Sequence, residues 1–115
     1  AALLATDVRP VVVDCGSTPA RAALVGAAAA PHSLLVLRPC FLALRRAVQS
    51  PVRPSAVVLV EEEGRSIGRS DVEAALGVPV RAVVAHDPKV ARAVDAGLLL
   101  GRIPSGLQRA LRHVA

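Results

Sequence analysis

Short apolar runs alternate with amphipathic stretches along this chain in a regular order. The first run is Val11-Val12-Val13-Asp14-Cys15, closed by Gly16 and Ser17. Thr18-Pro19 then has the form of a helix start, a hydroxyl N-cap followed by proline in the first helical position. An Ala-rich helix is expected from there to about Ala30, stopping at Pro31. A second strand is expected over residues 33–37, ended by Arg38-Pro39. In residues 41–49, Phe41, Leu44 and Val48 fall on one helical face, with Arg45 and Arg46 toward the opposite side. After a loop bearing Pro51 and Pro54, residues 56–60 are wholly apolar and predict a third strand. The acidic run Glu61-Glu62-Glu63 ends it, and Gly64 and Gly68 mark a loop. Ser70 and Glu73 have capping-box spacing, which predicts a short helix beginning at Asp71 and closing at Gly77. A fourth strand over residues 80–85 gives way to Asp87-Pro88, again an N-cap followed by proline. The helix after it places Val90, Ala93, Val94 and Leu98 on one stripe, and residues 104–114 predict a terminal helix with Leu107, Leu111 and Val114 inward.

Continuous apolar strands alternating with helices predict an α/β fold, a mainly parallel four-stranded sheet with helices on both faces in a Rossmann-like three-layer arrangement. The 115 residues make room for one domain, 1–115, large enough to bury a core without staples. Right-handed crossovers bring every strand-to-helix loop to one edge of such a sheet. Asp14, Arg38, Glu61 and His86-Asp87 sit in or beside those loops, so a site is expected along that edge.

Composition narrows the functional classes. Apolar residues are 53% of the chain, which excludes a disordered tail, and they are mostly Ala, Val and Leu, with Phe41 the only aromatic. No apolar run approaches the roughly 20 residues that span a bilayer. Residues 1–10 lack the basic start and apolar centre of a signal peptide. The net charge of +5 rests on arginines, Lys89 being the single lysine. A basic excess permits contact with nucleic acid or anionic lipid. The arginines are scattered, however, and no aromatic platform offers base stacking. Cys15 and Cys40 form neither a CxxC nor a zinc spacing and read as buried free thiols; a disulfide would require neighbouring strand ends.

Among polar candidates, Asp87 is best explained as the cap before Pro88. His86 has no nucleophile visible beside it, and Ser17 and Ser66 lack a triad context. Glu61-Glu62-Glu63 reads as a solvated strand end. The stretch Gly64-Arg65-Ser66-Ile67-Gly68 reads as a loop without a phosphate-binding lysine.

The order of pieces resembles the ParA/MinD family of deviant-Walker ATPases. Val11-Val12-Val13-Asp14-Cys15-Gly16 looks like that family's Walker B segment, and Leu34-Leu35-Val36-Leu37-Arg38-Pro39 is similar to its next strand. Leu76-Gly77, Val78-Pro79-Val80, then Val84-Ala85-His86-Asp87-Pro88, Val90, Ala93-Val94 and Gly97 look like its carboxyl-terminal signature, closest to the actinobacterial, CpaE-like or MinD-like branch. The resemblance covers nearly the whole chain and implies a partial P-loop NTPase fold, the portion from Walker B onward. It also implies that, if nucleotide binds, Asp14 lies near magnesium and Glu61, Ala85, His86 and Asp87 take part in binding the nucleotide. The departures are as definite. No Gly-rich run with a GKT or GKS occurs, so the backbone N–H cradle that holds phosphates is absent from this sequence. Val60-Glu61 stands where the family often has an adenine-contacting Asn.

The resemblance therefore implies one of two functions. The chain is a non-catalytic ParA/MinD-like binding or regulatory module acting through protein partners, with no cofactor in isolation. Alternatively it is the carboxyl-terminal portion of such an ATPase, serving partitioning, septum-site or pilus/secretion positioning, with ATP and magnesium bound only if a phosphate loop comes from elsewhere. Either way a cytoplasmic protein is expected. A further expectation follows from the family's central phosphate-loop strand: either residues 11–15 and 33–37 close up against each other, or another chain supplies the strand between them. A protein partner or homodimer is expected on that ground. DNA contact through Arg38, Arg45 and Arg46, or membrane contact through the terminal helix with Arg109, Arg112 and His113, is a lesser expectation.

Overall fold

Ala56-Val57-Val58-Leu59 carries no polar side chain, and the strand it starts is enclosed on both edges. This strand, β2 (Ala56–Glu61), lies between β1 (Leu34–Leu37) and β3 (Val80–Ala85) in one parallel sheet of spatial order β1-β2-β3. The computed structural model describes residues 9–17, 20–101, 103–112 and 114. Within them lie α1 (Arg21–Ala29), α2 (Phe41–Val48), α3 (Arg69–Leu76), α4 (Pro88–Asp95), a 3₁₀ turn at Leu99–Gly101 and α5 (Ser105–Leu111).

The core forms on one face of the sheet. Leu37, Val57, Leu59 and Val80 project there with Val72 of α3, and Leu35, Ala43, Leu44, Ala47 and Leu76 pack around them. Helices α2 and α3 therefore share a face and touch each other, as expected when each crossover joins adjacent parallel strands with the same hand. A shift in pairing between Val57 and Val58 leaves Arg81 as an extra residue in β3. The bulge turns Ala82 to pair with Val58 on the second face, where both are buried. Helix α5 packs against β3. At the β1 end the second face is bare, with Leu34 and Val36 exposed.

The sequence expectation of four strands is not met among the described residues, which give three. Residues 11–15 lie outside any ladder, and Val12 is 95% exposed. Strand propensity alone does not make a strand, because each backbone group needs a partner on a neighbouring chain segment. Among the described residues, 11–15 do not close onto β1. The Thr18-Pro19 cap lies outside the described residues, as does His113 of the expected terminal helix. Helix α2 also differs in face: Ala43, Leu44 and Ala47 meet the core, while Phe41 is 68% exposed and Val48 is exposed too. The small Ala side chains let the helix sit close to the sheet, so Phe41 and Val48 fall to the flank.

Helix α3 begins two residues earlier than the Ser70–Glu73 spacing suggests. Gly68 is its N-cap, and the Asp71 carboxylate accepts the Gly68 N–H at 2.9 Å. Glu73 is thereby free to accept the Val80 N–H at 2.9 Å, tying α3 to the start of β3. The helix ends at Gly77, whose φ of +64° is the left-handed cap conformation. Arg53 donates to the Gly77 carbonyl at 2.9 Å, and a Cβ at this position would stand 2.8 Å from Arg53 Nη2. Gly77→Ala is expected to cost about 1–2 kcal/mol, and Leu59→Ala about 2–5 kcal/mol as a cavity in the core. Urea unfolding followed by circular dichroism measures both; an unchanged Gly77→Ala midpoint would show that the cap conformation is not constrained.

Much of the apolar content of the described residues remains in contact with solvent. Val25 on α1, Val94 on α4 and Leu98 after it are exposed, and α1 has no buried residue.

Candidate functional site

Three parallel strands end together, so their following residues converge at one edge of the sheet. Glu61 pairs with Ala85, and the His86 N–H extends that pairing with a 2.7 Å bond to the Glu61 carbonyl. Glu61, Ala85, His86 and Asp87 are thus brought together, and all four are exposed. Asp87 is the N-cap of α4, its Oδ1 accepting the Lys89 N–H at 2.8 Å, with Pro88 in the first turn.

The strongest electrostatic feature at this edge is Glu62. One carboxylate oxygen accepts from Arg38 Nη2, and the other accepts from Arg65 Nε at 2.9 Å and Nη2 at 2.6 Å. The Arg65 hydrogen bonds, with the charge and hydrogen bond of Arg38, hold the Glu62 carboxyl below its usual range, and Glu62 in turn raises Arg65. Two guanidiniums around one carboxylate stitch the end of β1 to the loop after β2. In the sequence Glu61-Glu62-Glu63 has the form of a solvated run and Arg65 that of a plain loop residue. The available signal was the three-residue spacing of Glu62 and Arg65; the partner from β1 becomes visible only once the strands are paired.

Asp14 belongs to no strand of the sheet. Its Oδ1 accepts the Gly16 N–H at 2.8 Å, closing a turn in which Gly16 takes φ +68°. Cys15 and Cys40 are free, half-buried thiols, and Cys15 Sγ lies 3.8 Å from the Ala23 carbonyl. Among the described residues no group of three or more His, Cys, Asp or Glu is placed to hold a metal ion. Shallow concavities lie elsewhere, along α2 and α3. One of about 300 Å³ is lined by Phe41, Leu44, Arg45, Val48, Gln49 and Ala75. Among the described residues no helix is long and apolar enough to cross a membrane.

Comparison with protein-family models, with curated proteins and with solved structures finds no match to this chain. The site therefore has to be read from its own geometry. That geometry is an edge where Asp87 and Glu62 are already engaged by groups of the chain itself.

Both Glu62 and Glu73 have lowered carboxyl pKa values. For Glu73 the Val80 N–H is the main cause, followed by Arg69 among the groups that lower it. A carboxyl with a depressed folded-state pKa contributes stability that is fully present above its unfolded value of about 4.3 and is lost as pH falls through the folded value. Stability should therefore decline on acidification below about pH 4. Glu62→Gln and Glu73→Gln should each flatten that decline in urea titrations run across the range. Slopes identical to the parent chain would show that these carboxyls do not report folding.

Proposed function

We propose that this chain is a binding or regulatory module, ParA/MinD-like in the order of its elements, that acts through a protein partner and without nucleotide. The observation behind this reading is the edge of β1, unpartnered among the described residues, an all-apolar strand whose Leu34 and Val36 side chains face solvent. Exposed apolar surface next to an open strand edge favours association with another polypeptide. The polar candidates support the same reading. Asp14 closes its own turn, Asp87 caps α4 and Glu62 is held by two arginines. A nucleotide-bound magnesium would have to compete with each of these contacts.

The complete fold in this proposal is Rossmann-like, with a fourth strand beside β1. The same open edge also leaves room for the second reading, in which a strand carrying a phosphate loop comes from another polypeptide and the chain forms the carboxyl-terminal portion of an ATPase. DNA contact has less support, because Arg38 shares its charge with Glu62 while Arg45 and Arg46 remain as exposed cations on one short helix.

Isothermal titration of magnesium-ATP into the purified chain separates the two readings. No heat of binding is expected. Saturable binding near micromolar affinity, lost in Asp14→Ala, would overturn the nucleotide-independent module and favour the ATPase portion.

A further inference from the structure

The two edges of the sheet are treated differently. β3 carries a bulge at Arg81, a charged side chain in mid-strand, and α5 packed against it. These are the devices that keep an edge strand from pairing with other chains. β1 has none of them. Its sequence is Leu-Leu-Val-Leu, without charge, proline or bulge, and it pairs with β2 alone among the described residues. Val36 on its bare face is 65% exposed. A strand of this kind is built to be covered.

The same chain holds a segment with the complementary deficiency. Val11-Val12-Val13 is strand-forming by composition, all three side chains are exposed, and the segment belongs to no ladder. The Asp14–Gly16 turn and the contact of Cys15 Sγ with the Ala23 carbonyl join it to the first turn of α1. Helix α1 buries none of its residues. The valine segment and α1 thus form an arm that is not seated on the sheet of its own chain, although an open edge is present there.

We propose that residues 11–13 of one copy pair with the open edge of β1 in a second copy, giving a two-fold dimer by reciprocal exchange of arms. The inference rests on the interaction-module reading and names the partner as the chain itself. Pairing alternates side chains between the faces, so Val11 and Val13 lie on one side of the extended sheet and Val12 on the other. Each exchange supplies backbone partners to two deficient segments at once, and a closed two-fold arrangement leaves neither copy with an open β1 edge.

Light scattering across a concentration series should give a mass near twice 11.8 kDa. Val12→Pro and Val36→Lys each alter an exposed side chain, so both should keep the parent circular dichroism spectrum while the mass halves. The direct test uses a Cys15→Ser, Cys40→Ser background. One preparation carries Val12→Cys and the other Val36→Cys, and a short bis-maleimide is added to their mixture. A cross-linked pair containing one chain of each kind is expected. Linkage only within single chains of a double Val12→Cys, Val36→Cys protein would overturn exchange in favour of closure on the same chain. A dimer unaffected by Val12→Pro and Val36→Lys would also overturn it, while leaving association through another surface in force. A chain that stays monomeric at every concentration, without cross-linking, overturns the exchange outright.

Discussion

β2 is paired on both edges and buried on both faces, and the other elements are positioned by that enclosure. Val57 and Leu59 are fully buried on the side of α2 and α3, while Ala56 and Val58 are buried on the other. An apolar strand in such a position must have every backbone group bonded, because an unpaired group away from water costs as much as a lost hydrogen bond. β1 and β3 satisfy that need from the two sides, and the Val57 N–H reaches back to the Pro79 carbonyl at 2.9 Å before β3 begins. The helices then cover what the strands leave apolar. Val72 of α3 is the one helical residue fully enclosed in the cluster, and Glu73 beside it fixes α3 to β3 through the Val80 N–H.

That enclosure serves β2 completely and β1 only on one side. A parallel strand with a bare face is uncommon, since parallel sheets ordinarily have both faces covered, and Leu34 and Val36 leave one face of β1 exposed. The bulge at Arg81 shows how the opposite edge is closed. It changes the face of Ala82, adds a charge and twists the strand away from a regular edge. Nothing comparable interrupts Leu34-Leu35-Val36-Leu37. The contrast within one small sheet is more informative than exposure alone, because scattered exposed apolar residues are ordinary on any protein surface.

Much of the sheet was legible from the sequence. The strand at residues 80–85 has the bounds that the apolar run gave it, and Asp87-Pro88 caps the following helix as the residue pair predicts. These features depend on local chemistry: side-chain alternation, a capping carboxylate and the fixed φ of proline. The errors arise where tertiary partners decide. Three consecutive valines at residues 11–13 predicted a strand, yet a strand exists only through pairing that the described residues do not provide. The Ser70–Glu73 spacing predicted a cap, but Gly68 and Asp71 form the helix start and Glu73 is used by β3. On α2 the large side chains suggested the inward stripe, whereas the close approach of Ala43 and Ala47 set the actual one.

The candidate site was legible to the same extent and for the same reason. Parallel topology alone places Glu61, His86 and Asp87 at one edge, and that placement holds. What topology could not supply is how each charge is spent. Glu62, read as one of three solvated carboxylates, gathers Arg38 from the end of β1 and Arg65 from its own loop. This has a consequence for specificity. An exposed ion-pair network in water contributes little net energy, but it fixes the loop after β2 against β1 and removes two guanidiniums from the pool available to an anionic ligand. The carboxyl edge is thereby locked into its own contacts, while the apolar edge of β1 remains open. In the proposed reading, a partner would therefore meet β1 through hydrogen bonds and apolar contact rather than through charge.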